Sequence, residues 1–212
     1  MGFDCSLLLK ILIEGEKSID LKVVLQEACQ CFPKLQQKDV PSLIQEILFF
    51  ITARAKAVFE DYGFKKDEID ASLQGLCIDP FDQFCKTQAL HAFRRQGSEF
   101  SKLYEVYKRA KGQLDKPTTT PFLSSLANTP AEQELMHAIE HLQKHWKETI
   151  HSHQYLKAFS MIAQLQEPLA KLFDTVKILT DDAELRDNRI ALLQKVFVPF
   201  QELLDFSKIQ EN

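Results

Sequence analysis

The fold class is decided by residues 129–150, which read TPAEQELMHAIEHLQKHWKETI. Thr129 and Glu132 have the spacing of a capping box, and Pro130 stands at the first helical position, where proline is favoured. The apolar residues that follow recur at coiled-coil-like spacing: Leu135, Ile139, Leu142, Trp146 and Ile150. The stretch therefore predicts an amphipathic helix of about twenty residues that packs one face into a core.

The same three-four spacing recurs along most of the chain, whereas the alternation typical of strands does not occur. Six glycines in 212 residues are too few for a sheet protein rich in tight turns. Further helices are predicted over residues 5–13, 20–30, 41–62, 66–74, 80–95, 98–114, 154–165, 167–179 and 182–206. We therefore expect an all-α helical bundle.

Local signals mark several ends of these helices. Gly63 has the position of a residue that closes a helix, and the pair Gly97-Ser98 is expected to close one helix and cap the next. Two prolines and a threonine run predict a surface loop over residues 115–121. Pro199 is expected to kink the last helix.

Composition limits the classes of function. A net charge of −4 argues against a protein that binds nucleic acid over its whole surface, because such binding needs clustered Lys and Arg. Five cysteines without a regular framework, and no secretory signal, indicate reduced thiols in a cytosolic protein. Cys29 and Cys31 are interpreted as small buried apolar residues. The apolar run at residues 6–13 is too short to span a membrane, so we expect no membrane association.

Motifs for catalysis do not occur in the sequence. Glycine-rich phosphate loops, the nucleophile elbow and the His-Glu-x-x-His motif are all missing, so no catalytic residue is assigned. His137, His141 and His145 recur at every fourth position, a spacing that can bind a metal. They lie opposite the apolar face, however, where solvated polar residues are expected whatever the function. We therefore predict no metal site.

One segment is strongly basic. Residues 86–116 contain eight Lys or Arg against three acids, a balance of +5, which leaves −9 for the rest of a chain whose net charge is −4. This polarisation makes the predicted helix pair a candidate surface for a polyanion. Tyr104 and Tyr107 lie in the same segment, where exposed rings could stack on unpaired bases. A solvated charged face with the tyrosines packed beneath it is an alternative with about equal support.

The second half of the chain resembles a known helical module. The residues that carry the resemblance are Leu103-Tyr-Glu-Val-Tyr-Lys-Arg-Ala110, Pro130-Ala-Glu132, Leu172-Phe-Asp-Thr-Val176 and Asp182-Ala-Glu-Leu-Arg-Asp-Asn-Arg-Ile-Ala-Leu-Leu193. In this order they are similar to the DALR-type anticodon-binding domain, which arginyl-tRNA synthetases share with the β-subunit of the bacterial glycyl enzyme. The motif that names the domain departs here, with Glu184 where the family often has alanine. Arg186 is kept.

The first half resembles the glycyl β-subunit alone. The residues that carry this resemblance are Leu7-Leu-Leu-Lys-Ile-Leu-Ile-Glu14, Phe50-Ile-Thr-Ala-Arg-Ala55, Gly63-Phe-Lys-Lys-Asp-Glu-Ile-Asp-Ala71 and Gln88-Ala-Leu-His-Ala-Phe93. The resemblance implies a helical linker domain over residues 1–78 and a DALR-type anticodon-binding domain over residues 79–212. It also implies that this part of a glycine--tRNA ligase holds glycine tRNA by its anticodon arm.

The resemblance places the chemistry outside this chain. A catalytic α-subunit, or a catalytic domain fused upstream, would attach glycine with ATP and Mg²⁺, and no cofactor is expected in this fragment. The residues expected to contact RNA phosphates are Lys102, Lys108, Arg109 and Lys111, with Arg94 and Arg95 on the same surface. Tyr104 and Tyr107 are the expected base-stacking residues. Arg186 and Arg189 either contact RNA or form ion pairs with Asp174 or Asp182.

Two other functions remain open from the sequence. A helical scaffold without RNA binding would dock protein partners through the apolar stripes of the third and last helices. A metal-dependent helical-bundle enzyme would use the histidine row together with Glu134 and Glu148.

Overall fold

The computed structural model describes residues 5–32, 39–114 and 117–210. The helices in these ranges are α1 (Cys5–Glu14), α2 (Leu21–Gln30), α3 (Val40–Asp61), α4 (Lys66–Leu73), α5 (Pro80–Arg94), α6 (Ser98–Lys111), α7 (Pro130–His151), α8 (Tyr155–Ala163), α9 (Gln166–Thr175) and α10 (Ala183–Leu203), with 3₁₀ turns at Ser124–Leu126 and Phe206–Lys208. No strand occurs in these ranges, so the all-α prediction is confirmed. None of the described helices has the length and apolar content that crossing a membrane requires.

Three predicted helix ends are wrong. α9 ends at Thr175 instead of residue 179, because the chain turns extended at Val176, where Val176 and Ile178 stay buried without a helix. α10 ends at Leu203 instead of residue 206. α6 ends at Lys111 instead of residue 114. The pair Gly97-Ser98 caps α6 as expected: the N-cap is Gly97, whose φ of 56° lies in the left-handed region that favours glycine.

Three further predictions concern Gly63, Pro199 and the loop over residues 115–121. Gly63 has a φ of 86° directly after α3, as expected for a closing residue. Pro199 lies inside α10, and the kink predicted there stays a prediction. Residues 115 and 116, which belong to the predicted loop and to the basic segment, lie outside the described residues.

The chain divides into two compact units. Unit 1 comprises Met1–His91 and Leu204–Asn212, and unit 2 comprises Ala92–Leu203. A division by compactness does not test whether a segment folds independently. The predicted domain boundary after residue 78 therefore stays a prediction. The segment from residue 204 onward belongs to unit 1.

Unit 1 is built around α3, which packs against α1, α2 and α4. The apolar stripe predicted for the third helix forms its core: Ile44, Leu48, Ile51, Ala55 and Phe59 are all buried. The C-terminal segment joins this unit through hydrogen bonds from the backbone N–H of Asp205 to the Ala71 carbonyl (2.9 Å) and from that of Gln210 to the Asp67 carboxylate (3.0 Å).

The five cysteines are free thiols. Cys29 is buried in unit 1, as predicted. Cys31 is exposed, so the interpretation of both as buried residues is wrong for Cys31. The reason is its place directly after the last residue of α2, where the helix no longer covers it.

Unit 2 is a bundle in which α6 packs against α8, α9 and α10, and α7 packs against the same three helices. Leu135, Ile139, Leu142 and Trp146 of the stripe predicted for α7 are buried, and Ile150 is half-buried. The capping box forms as predicted. Thr129 Oγ1 accepts a hydrogen bond from the Glu132 N–H at 3.2 Å, and the Thr129 N–H donates to the Glu132 carboxylate at 2.9 Å.

A buried ion pair joins α10 to the first turn of α7. Arg189 Nε donates to Glu132 Oε1 at 2.7 Å, and the side chains are only 12% and 2% exposed, respectively. Burial by itself raises the pKa of the Glu132 carboxyl, but hydrogen bonds from Arg189 and Thr129, together with the Arg189 charge, outweigh it and lower the pKa. The carboxylate is therefore ionised and fully engaged in the folded protein.

Removal of Arg189 should destabilise unit 2 strongly. Arg189→Met leaves the Glu132 carboxylate buried without its cation, which we expect to cost about 3–5 kcal/mol of unfolding free energy in urea titrations. Lys171→Met is the matched control, since Lys171 pairs with Glu134 of the same helix at the surface, and it should cost less than about 1 kcal/mol. Equal losses in the two variants would contradict the structural role of Arg189.

The same pair should make stability depend on acid pH. Because folding lowers the pKa of Glu132 below its ordinary value of 4.5, the stability it contributes is complete above that value and is lost as pH falls through the folded pKa. The gap in unfolding free energy between the wild type and Glu132→Gln should therefore narrow as urea titrations move from neutral to acid pH. Glu134→Gln is the control, and its unfolding free energy should stay close to that of the wild type at every pH. If the difference between the wild type and Glu132→Gln did not change with pH, this linkage would be excluded.

Candidate nucleic-acid interface

The basic segment folds into the end of α5 and the whole of α6. The side of α6 that faces the other helices of unit 2 carries four buried residues: Leu103, Val106, Tyr107 and Ala110. The cations of its last turn lie beside the negative end of the helix dipole, which stabilises positive charge there. Burial of one side leaves the other flanks of α6 to present charged and aromatic residues to solvent.

Four aromatic rings form a continuous stack along one flank, which we call the aromatic ladder: Phe100, Tyr104 and Tyr107 of α6, and Phe197 of α10. Successive ring centroids are 5.9, 6.0 and 5.8 Å apart, with interplanar angles of 16°, 27° and 25°. These values lie in the range of favourable offset stacking. Tyr107 is buried, and the other three rings are partly exposed.

Cations lie against three rings of the ladder. Lys108 Nζ is 4.8 Å from the centroid of Tyr104, and Arg94 Cζ is 5.6 Å from that of Phe100. Lys111 Nζ is 5.3 Å from the centroid of Tyr107 and also donates a hydrogen bond to its hydroxyl at 2.9 Å. Lys108 and Arg94 thus make cation–π contacts, whereas Lys111 is bound to the hydroxyl at the edge of the Tyr107 ring. The ladder and its cations form one interleaved surface.

The adjoining flank of α6 carries ion pairs. Lys102 lies 2.7 Å from Glu99, and Arg109 lies 2.8 Å from Glu105. One guanidinium nitrogen of Arg109, Nη1, is buried and makes no hydrogen bond within the part of the chain that the structure describes. The charges of Lys102 and Arg109 are thus partly balanced by these two carboxylates.

Eight of the ten predicted RNA-binding residues are therefore brought together within residues 94–111. Arg95 is exposed in the turn after α5. The choice left open for the two tyrosines resolves differently for each, because Tyr104 is half-exposed whereas Tyr107 is packed into unit 2. Base stacking by these rings stays a prediction.

The two arginines of α10 have other contacts. Arg189 is held by Glu132 and donates to the Lys177 carbonyl at 2.9 Å, which favours a structural role. Arg186 donates to the Thr180 carbonyl at 3.3 Å and lies 3.9 Å from Asp187. The partners predicted for them, Asp174 and Asp182, were wrong, because the ion pairs form with Glu132 and Asp187.

The other two functions would require an exposed apolar stripe on α3 or α10, or a cluster of metal ligands around the histidine row. The stripes on α3 and α10 are core, with Leu48, Phe59, Val196 and Phe200 at most 2% exposed, so they offer no docking face. The histidine row is exposed on α7, as expected. No group of three or more metal-ligating side chains occurs in the described ranges, and Glu134 is paired with Lys171.

Sequence reasoning placed Phe100 on the same flank as the two tyrosines but did not count Phe100 or Phe197 among the functional residues. Phe100 precedes Tyr104 by four positions, as Tyr104 and Tyr107 precede Lys108 and Lys111, so helical spacing could have indicated this row of neighbours. Phe197 comes from α10, and no local signal in the sequence places it against Tyr107.

Comparisons with known proteins match this region. A model of the DALR anticodon binding domain matches residues 99–211. The chain is also similar to the glycine--tRNA ligase beta subunit of Desulforamulus reducens, with 32% identity over 202 residues, or 94% of the chain. The corresponding subunits of Syntrophomonas wolfei and Clostridioides difficile are 27% and 26% identical over 95% of the chain.

The chain spans 29% of the length of these curated relatives and matches their C-terminal part. The matched family model begins in the first turn of α6 and extends beyond α10. Since it covers more than half of the sequence, the chain belongs to the DALR anticodon-binding domain family.

Proposed function

We propose that this chain is the tRNA-holding part of a glycine--tRNA ligase and that it binds glycine tRNA by the anticodon arm. The observation that carries the proposal is the DALR match over residues 99–211, which includes the whole exposed flank of α6. The similarity to glycine--tRNA ligase beta subunits along nearly the whole chain supports glycine tRNA as the partner.

Electrostatics support a local contact with RNA. Lys102, Lys108 and Lys111 are exposed on one helix of a chain whose net charge is −4. Lysines that neutralise phosphates release counterions, which favours binding and makes it depend on salt. The anionic remainder of the chain disfavours RNA elsewhere, so the charge distribution supports docking through α6.

The exposure of each residue decides whether it is assigned a contact with RNA or a supporting role. In this proposal, Lys102, Lys108, Arg109 and Lys111 bind phosphates, and Arg94 and Arg95 extend that surface. Half-exposed Arg186 contacts RNA at the start of α10. Tyr104 is the more accessible of the two tyrosines predicted to meet bases. Arg189 and Tyr107 support the surface from within unit 2.

The chemistry of the full enzyme lies in other parts. We propose that an α-subunit or a fused catalytic domain activates glycine with ATP and Mg²⁺. The described residues hold no cluster of metal ligands, and single glycines scattered through the sequence do not make a phosphate loop. This chain would therefore bind and orient the tRNA in the cytosol, where translation requires it.

Charge reversal on α6 should weaken tRNA binding. The double variant Lys108→Glu/Lys111→Glu should bind glycine tRNA at least about tenfold more weakly, a loss of ~1.4 kcal/mol. The slope of log K against log salt should also shrink by about 2, roughly one for each lost phosphate contact. Affinity is measured by fluorescence anisotropy of labelled tRNA across a salt series.

The matched control is Lys144→Glu/Lys147→Glu, which makes the same change in net charge at exposed positions of α7. It should bind within about threefold of the wild type, because only a long-range change of charge is made. Equal weakening by both variants would show that overall charge, and not α6, governs binding. Failure of the wild type to bind glycine tRNA would contradict the proposal itself.

A further inference from the structure

We propose that the aromatic ladder is a positioning device, whose rings hold Arg94, Lys108 and Lys111 in a row along which the phosphates of one RNA strand bind. This inference rests on the proposed tRNA-binding function and deepens it. It assigns the rings to the cations, and not to the bases, and it adds Phe100 and Phe197 to the functional residues.

The ladder is fixed at its inner end. Tyr107 is 6% exposed and contacts two rings of α10, Phe197 at 5.8 Å and Phe200 at 5.5 Å. Phe200 is itself buried in the core of unit 2. Tyr104 and Phe100 stack outward from this anchor along α6. The rings therefore share the rigidity of the core although three of them are partly exposed.

Each ring of α6 in the ladder has one cation against it. Because the rings follow one another at 5.9 and 6.0 Å, the cations of Phe100, Tyr104 and Tyr107 follow in the same order. A nucleic-acid strand also presents its charges at regular intervals of a few ångströms. A lysine that is free to rotate loses side-chain entropy when it is fixed. Rings that hold the ammonium groups beforehand reduce that loss on binding.

The stacking geometry favours phosphates over bases. Tyr104 has ring neighbours on both sides, Phe100 and Tyr107, and Lys108 lies over the same ring. A base could stack on Tyr104 only by displacing one of these groups. An ammonium group has three N–H donors, and a cation–π contact uses its charge, so a phosphate oxygen can be bound without displacement.

The two acids of α6 pair with cations outside the ladder. Glu99 forms an ion pair with Lys102, and Glu105 forms one with Arg109. These two carboxylates are therefore balanced by cations that the ladder rings do not hold.

A double-mutant cycle on Tyr104 and Lys108 tests the inference with labelled glycine tRNA. Lys108→Gln should weaken binding several-fold and reduce the salt slope by about 1. Tyr104→Leu removes no charge, yet it should weaken binding and reduce the slope in the same direction by a smaller amount. The double variant should be little weaker than Lys108→Gln, since the ring acts through the lysine. Tyr104→Phe keeps the ring and should behave as the wild type.

A second readout uses glycine tRNA with abasic anticodon nucleotides. The penalty of Tyr104→Leu should persist on this tRNA if the ring positions Lys108. Loss of that penalty on abasic tRNA, or additive effects with an unchanged salt slope, would show base stacking and overturn the inference while leaving the proposed function intact. Full affinity of Tyr104→Leu would overturn it as well.

Controls keep the outcomes separate. If circular dichroism shows that Tyr104→Leu does not fold, the same cycle with Phe100→Leu and Arg94→Gln at the exposed end of the ladder decides the question by the same criteria. If the wild-type chain does not bind glycine tRNA, the proposed function fails and the inference fails with it.

Discussion

Burial of one side of α6 is the constraint on which the candidate interface depends. Leu103, Val106 and Ala110 are completely buried against the neighbouring helices of unit 2. Burial of a Leu or Val side chain contributes about 1.5–3 kcal/mol, whereas a surface ion pair contributes at most about 1 kcal/mol. Packing therefore sets the rotation of α6 about its axis. With 3.6 residues per turn, that rotation turns Lys108 and Lys111 outward.

The rest of unit 2 holds this packing in place. α7 begins at a capping box whose carboxylate also binds Arg189, so one glutamate both starts α7 and fastens α10 to it. α10 in turn supplies Phe197 and Phe200, which contact Tyr107 of α6. The buried polar contacts of α7 and the exposed ladder of α6 are thus linked through one helix. A defect in the core of unit 2 would disturb the surface that carries the cations.

Local physics made much of the fold predictable from the sequence. Asp20 accepts a hydrogen bond from the Val23 N–H at 3.0 Å, and Asp182 accepts one from the Leu185 N–H at 3.1 Å, both within three residues of the cap. Apolar spacing likewise placed the buried side of α7. Such signals depend only on neighbours along the chain, so a sequence contains them in full. The family resemblance rested on the order of many such segments.

Interactions between distant residues could not be predicted in this way. The partner of Arg189 is Glu132, 57 positions away, whereas the candidates near in sequence were Asp174 and Asp182. Val176 continues the helical spacing of Leu169 and Leu172, yet the chain is extended there and Val176 is still buried, because burial does not require a helix. The candidate cations were placed correctly on α6, but their pairing with rings or carboxylates depends on rotamers and on α10. Sequence therefore located the surface, and structure divided it into two flanks.

Hydroxyl-radical footprinting of glycine tRNA tests the central claim most directly, because it maps which sugar–phosphate positions the protein covers. The account predicts protection confined to the anticodon arm in the presence of the wild-type chain, with that protection lost for Lys108→Glu/Lys111→Glu. Protection of the acceptor stem alone, or a footprint unchanged by that variant, would contradict the claim that the exposed flank of α6 holds the anticodon arm.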